Sequence, residues 1–465
     1  MPAPEKIHHL VERFDRHLDA YKSGRYKEAQ VRKEFIDPFF KALGWDVENE
    51  QGRPEPLKEV IHEASVRIHD GDGRIKAPDY SFRIGGKRKF FVEAKKPSVN
   101  LKDNISPAFQ LRRYGWSADL PLSILTDFEE LAVYNCSYEP QRTDRAAKAR
   151  DDYFEYTGYV NRWREIAGLF SREAVANGSL DRYAEQAAKK RGTLKVNDAF
   201  LKEIERWREM LARSFYLHNP ELSQRELNTA VTRTIDRIIF LRIAEDRGIE
   251  PYGELATLTT GERVYARLID RFRTADARYN SGLFHFGHER GRPGHPDTLT
   301  PGLALEDTTL KHILRNLYYP DSPYAFDVMP AEILGQVYEQ FLGKVIVLKG
   351  RQAAVEEKPD VKKAGGVYYT PAYIVEYIVR HTVGRLLEGK RWKTPRRSPS
   401  SETIKNIKDC VPSPPSGERG TCLFYRYLGN LSYTRCQRQP SSVRPGPKAR
   451  ATPWPKPSLP LARWL

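Results

Sequence analysis

Two short runs rich in aromatic and β-branched residues, Tyr80–Ile84 and Lys89–Lys95, face each other across Gly85-Gly86. That pattern predicts a β-hairpin. Side chains alternate along a strand, so Glu93 and Lys95 point to one face. Asp79, directly after Pro78, begins the other strand. Whether it shares that face depends on the parity of the connection. A two-residue Gly85-Gly86 turn pairs Ile84 with Lys87 and sets Asp79 opposite Val92, which sends Glu93 to the far side. A three-residue loop from Gly85 to Lys87 pairs Ile84 with Arg88 and sets Asp79 opposite Glu93. The two carboxylates therefore meet only if the loop is odd or the hairpin carries a bulge.

Around this hairpin the periodicity changes along the chain. Ile7, Leu10, Val11, Phe14 and Leu18 recur at helical spacing within residues 4–21. A second helix is expected over Lys27–Leu43, stopped by Gly44. A third covers Ile105–Trp116, followed by strands at Leu122–Thr126 and Leu131–Tyr134. The expectation for residues 1–145 is an α/β domain, a mixed sheet flanked by helices. Residues 150–345, with Leu227–Arg247 and Ala331–Leu342 strongly helical, read as an all-α connector. Residues 346–392 hold a polar stretch, Gly350–Gly366, and a helix from Pro371 to Leu387.

Length allows this plan: 465 residues accommodate two to four domains at about 100–200 residues each. Residues 393–465 hold fourteen basic and three acidic residues, so most of the chain's +16 net charge lies there. They also hold twelve of the 32 prolines, without apolar periodicity, and read as a disordered tail. The composition change near residues 393–410 is that of a shifted reading frame or a truncated gene. The absence of an apolar run of about 18 residues argues against a membrane span. The start lacks a signal-like apolar stretch, and four cysteines are too few for a disulfide framework, which suits the cytoplasm.

Asp79, Glu93 and Lys95 have a definite chemistry if they converge. Two carboxylates and the Ala94 carbonyl suit a hard cation such as Mg²⁺, with water completing the octahedron. Lys95 beside them can orient or deprotonate an attacking water and offset transition-state charge. That is equipment for phosphodiester hydrolysis. The alternative is a solvated cross-strand charge pair, and Glu-x-Lys also occurs at Glu356–Lys358 and Glu388–Lys390. Favouring the site, Phe90-Phe91-Val92 makes the strand apolar, and an acid in an apolar strand needs a reason.

This stretch resembles the PD-(D/E)xK nuclease domain at the front of type I and type IIG restriction enzymes. In that family an additional acid near the metal lies on the early helix, where this chain has Glu34. Gln110-Leu111-Arg112-Arg113-Tyr114 is similar to the family's QxxxY motif, and Leu125–Glu129 with Val133-Tyr134 to its closing strand pair. The resemblance implies a Mg²⁺-dependent endonuclease acting on double-stranded DNA, with Asp79, Glu93, Lys95, Gln110 and Glu34 as site residues.

Further on, Gly365-Gly366-Val367-Tyr368-Tyr369-Thr370-Pro371 resembles the opening motif of adenine-N6 DNA methyltransferases, in which Tyr368, Tyr369, Thr370 and Pro371 would contact S-adenosylmethionine. The segments Asp236–Gly248 and Ile333–Leu342 resemble the helical connector of type IIG enzymes. That family continues with a glycine-rich cofactor motif and Asn-Pro-Pro-Tyr/Phe. Neither follows Leu387, so S-adenosylmethionine is expected for the full-length family only. The rival readings are adenine methylation by a full-length parent and an inert DNA-binding remnant. A separate specificity or methyltransferase subunit stays open as a partner. His285, His288 and His295, the tail cysteines and Gly71-Asp72-Gly73 fit no ligand spacing and read as ordinary loops.

Overall fold

The computed structural model describes residues 2–62, 78–187, 192–279, 281–288 and 294–330, with shorter stretches between 333 and 385. Gly71-Asp72-Gly73, the Tyr368–Pro371 motif and the 393–465 tail lie outside the described residues.

Six strands form one mixed sheet in sequence order: β1 (Val60–His62), β2 (Tyr80–Ile84), β3 (Lys87–Ala94), β4 (Leu122–Thr126), β5 (Glu130–Asn135) and β6 (Arg150–Glu155). Neighbours are antiparallel except β3 and β4, which run parallel. A parallel pair needs a crossover, and the helix Ile105–Ser117 supplies it. Alternation then sorts the strand residues. Phe82, Phe90 and Val92 join Phe14, Phe35, Phe39 and Phe40 of the N-terminal helices in one core. Phe91, Leu125 and Ala132 face the crossover helix through Leu111 and Tyr114.

The crossover helix lies close to the sheet at Gly115. A Cβ there would stand 2.3 Å from Cys136 Sγ and 2.9 Å from Ser123 Oγ, so only glycine fits.

Three expectations need correction. The first domain does not end near residue 145. β6 closes the sheet, and Tyr156, Tyr159, Trp163, Phe170 and Leu180 pack into the first core. Polar Arg150-Asp151-Asp152 concealed this edge strand. Nor is the stretch after the connector a polar loop throughout. Lys344–Lys349 and Gln352–Glu357 form an antiparallel hairpin, part of it within the stretch expected to be polar loop. The hairpin docks through Asn228, whose side chain both donates to Ile346 O and accepts from Ile346 N, each at 2.8 Å. The third correction concerns the second helix. It is α over Glu28–Val31, π over Arg32–Ile36 and α again over Asp37–Ala42. Pro38 has no N–H to give Glu34 O, and its ring would crowd that carbonyl. The helix answers by widening, with Asp37 N–H bonding Arg32 O.

The connector is built on two 23-residue helices, Val196–His218 and Gln224–Asp246. Ser223 and Glu226 cap the second reciprocally, Ser223 N donating at 3.0 Å and Glu226 N at 3.3 Å. Trp207, Leu211, Phe215, Val231, Ile235 and Phe272 form its core, which Trp116 of the crossover helix also enters. The same helix is bound to the connector by polar contacts. Arg113 donates to Ser322 O at 3.2 Å and to Tyr324 O, and Ser117 Oγ accepts from Ala325 N at 2.9 Å.

Candidate active site

Gly85 and Gly86, with φ of 57° and 81°, make a two-residue turn in the left-handed region at both positions. Ile84 pairs with Lys87 and Arg83 with Arg88. The register then shifts, and Phe82 pairs with Phe90, leaving Lys89 as the extra residue of a bulge. Beyond it Tyr80 pairs with Val92, and one step further Asp79 stands opposite Glu93. The odd count comes from a bulge, not from a longer loop. Gly86 is fixed twice over, since a Cβ on it would meet Pro56 O at 2.9 Å.

Four of the five expected nuclease-site side chains are assembled by this register and the crossover helix, Glu34 being the exception. Asp79 Oδ2 accepts from Ala94 N at 2.8 Å, tying the two strand ends together. Lys95 Nζ donates to Glu93 Oε1 and to Ala94 O, the latter at 2.9 Å. Gln110 Nε2 donates to the same Glu93 Oε1 at 3.0 Å. Glu93 Oε2 is buried and has no hydrogen-bond partner.

Glu93 is the electrostatic centre of the group, with only 3% of its side chain exposed. Burial pushes its carboxyl up to about 7, with Lys95 opposing the rise and Asp79 adding to it. Burial works against the charge on Lys95, but the Glu93 carboxylate beside it holds its pKa above the usual lysine value.

Glu34 does not join the group. Its carboxylate pairs with Arg13. The helix instead turns Glu28 and Arg32, four residues apart and on one face, toward the hairpin. Glu28 Oε2 lies 3.9 Å from Lys95 Nζ, and Arg32 Nη1 donates to Asp79 Oδ1 at 2.9 Å. Sequence reasoning missed both. The usable signal was the Glu28/Arg32 spacing, which puts both residues on one helix face. Tyr114, the second residue of the QxxxY match, packs in the core behind the sheet.

A hard cation suits this donor set. A cation would satisfy the buried Glu93 Oε2, which has no hydrogen-bond partner, and Asp79 is directly across the strand pair. Among the described residues no group of three or more His, Cys, Asp and Glu could hold a metal. An ion here would therefore rest on two carboxylates and complete its shell with water.

Residues 57–142, which span the hairpin and the crossover helix, match the family described as the type I restriction enzyme R protein N terminus. Over 390 residues the chain is 35% identical to the type II restriction enzyme and methyltransferase RM.Eco57I of Escherichia coli. The alignment covers 84% of this chain and 38% of that protein, so the chain spans well under half of its relative's length. The solved type IIG restriction endonuclease BpuSI aligns at 15% identity over 76% of this chain and 34% of that one, and the TM-score of 0.17 leaves no fold comparison to draw. Over the residues matched, the chain is similar to restriction enzymes: to the type I R protein N terminus across the hairpin and crossover helix, and to a type II restriction enzyme and methyltransferase along most of its length. Among the described residues no helix is long and apolar enough to cross a membrane.

Proposed function

We propose that the N-terminal domain is a Mg²⁺-dependent endonuclease that hydrolyses phosphodiester bonds of double-stranded DNA. The observation that carries this reading is the bulged register, which sets Asp79 opposite Glu93 while Glu93 Oε2 lacks a partner. Asp79 and Glu93 would hold the ion. A bound divalent cation supplies Lewis-acid polarisation of the phosphate and a more acidic water.

The chain's own residues do the rest. Gln110 fixes the rotamer of Glu93 through Oε1 and so keeps Oε2 aimed at the site. Lys95 favours the ionised form of Glu93 in a buried setting. Its ammonium could also orient an attacking water and offset charge on the phosphorus oxygens. S-adenosylmethionine and adenine methylation are assigned to the longer members of the family, with Tyr368, Tyr369, Thr370 and Pro371 as the contact loop. In the relative, restriction and methylation share one name, which removes the main reason to invoke a separate methyltransferase subunit.

The test is a supercoiled-plasmid assay on the full chain. Nicking or linearisation is expected with Mg²⁺, none with EDTA, and none with Asp79→Asn in Mg²⁺. Equal cleavage by Asp79→Asn and the parent would place the chemistry elsewhere.

A further inference from the structure

Arg32 belongs to none of the motifs above, yet its side chain is ion-paired with Asp79. Both Asp79 carboxylate oxygens are engaged: Oδ2 accepts from Ala94 N at 2.8 Å and Oδ1 from Arg32 Nη1 at 2.9 Å. Arg32 Nη2 also reaches the Asp79 carbonyl at 3.3 Å.

The guanidinium does not depend on Asp79 for its position. Its Nε donates to Tyr80 Oη at 3.3 Å, and its Cζ lies 4.6 Å from the centroid of the Tyr80 ring. Nη2 is 3.4 Å from His62 Nδ1. Tyr80 Oη in turn donates to Asp37 Oδ1 at 2.7 Å, which fixes the anchor. Conversely, Asp79 does not depend on Arg32, because the Ala94 N–H already sets its carboxylate. The two groups are each held separately and meet through one charged contact.

That contact has an electrostatic consequence. Arg32 and Lys95 stand against Asp79, Glu93 and, farther out, Glu28, so much of the site's negative charge is already offset without an ion. A divalent cation on Asp79 must share or take the oxygen that Arg32 holds, and must do so beside a fixed positive charge.

We infer that Arg32 is a latch on the nuclease site: it occupies Asp79 Oδ1 until a divalent cation takes that oxygen, and so sets how much cation the site requires. The inference rests on the metal-dependent nuclease reading and deepens it. The guanidinium holds no part of the ion and raises the concentration at which the ion binds.

The test is direct binding of Mn²⁺ to the full chain without DNA, followed by calorimetry or by the free-ion paramagnetic resonance signal. Arg32→Gln removes the charge while retaining a hydrogen-bonding group, and is expected to bind Mn²⁺ about tenfold more tightly than the parent, the scale of one nearby unit charge in a partly solvated site. Arg32→Lys keeps the charge and is expected to stay within about twofold of the parent. Unchanged or weaker binding by a folded Arg32→Gln overturns the latch, as does a tenfold gain with Arg32→Lys. Asp79→Asn separates the two claims: it should lose the ion. If it binds Mn²⁺ as the parent does, the ion sits elsewhere and the nuclease-site reading itself falls.

Discussion

Lys95→Ala is expected to slow plasmid nicking by roughly 10²–10³-fold, the usual loss when one preorganised electrostatic group is removed, while the fold survives. Two effects combine. Glu93 is already pushed up to about 7 by burial, and Lys95 is the group that opposes the rise. Without it the carboxyl keeps its proton at neutral pH, and a protonated carboxyl is a poor ligand for a hard cation. The ammonium proposed to offset charge on the scissile phosphate is lost as well.

The pH profile separates these effects. A carboxyl must lose its proton to bind the ion, so at subsaturating Mg²⁺ the parent's rate should climb as pH rises through about 7. In Lys95→Ala that climb should move to higher pH, and the plateau should stay far below the parent's. Stability should change little, because Glu93 can take up a proton and its Oε1 can still accept from Gln110. Initial nicking rates from pH 6 to 9, beside a urea unfolding curve, check all three statements. A variant within tenfold of the parent across that range would remove Lys95 from the chemistry.

The second large effect is on stability and lies in the connector. Asp297→Ala is expected to cost about 3–5 kcal/mol, the range for stranding one partner of a buried ion pair. Arg237 Nη2 reaches Asp297 Oδ2 at 2.8 Å, with both side chains at most 2% exposed, and Arg233 Nη1 reaches Oδ1 at 2.9 Å. The same carboxylate accepts from Leu299 N and Thr300 N, both at 3.1 Å. Alanine would leave the Arg237 guanidinium buried with only Leu283 O and Thr300 Oγ1 as acceptors. Asp297→Asn keeps Oδ1 as acceptor for the two N–H groups but loses the charge and the Oδ2 acceptor that faces Arg237 and Thr300, so it should fall between. Urea unfolding followed by the fluorescence of Trp207, in the same core, reports the difference. Equal midpoints for Asp297→Ala and the parent would show that the pair contributes nothing net.

How far the sequence could be read depended on whether each signal was local. The turn was legible because Gly85-Gly86 satisfies the left-handed positions of a tight hairpin. The bulge at Lys89 carries no residue signature. It could be foreseen only as a parity requirement, since Asp79 and Glu93 share a face in no other way. β6 and the Lys344–Glu357 hairpin were missed for different reasons. Arg150-Asp151-Asp152 opens β6 with charge, whereas the apolar run Val345–Leu348 is only four residues long and is anchored by tertiary packing of Ile346 in the connector core. Glu34 was placed at the site by the family resemblance alone; two residues from Arg32, roughly 200° around the helix, it faces away from the hairpin and pairs with Arg13. Arg32 belongs to no motif and went unread. The helices at Val196–His218 and Gln224–Asp246 are long and periodic, and there local propensity and burial agree.

The most direct measurement of the central claim, that one divalent ion is held between Asp79 and Glu93, is Fe²⁺-directed backbone cleavage. Fe²⁺ is loaded in place of Mg²⁺ on the full chain, ascorbate and peroxide are added, and the fragments are sequenced. The account predicts cuts in two places, next to Asp79 and next to Glu93–Lys95, suppressed by excess Mg²⁺ and lost in Asp79→Asn. Cuts confined to other segments, or cuts at these two that persist in Asp79→Asn, would contradict it.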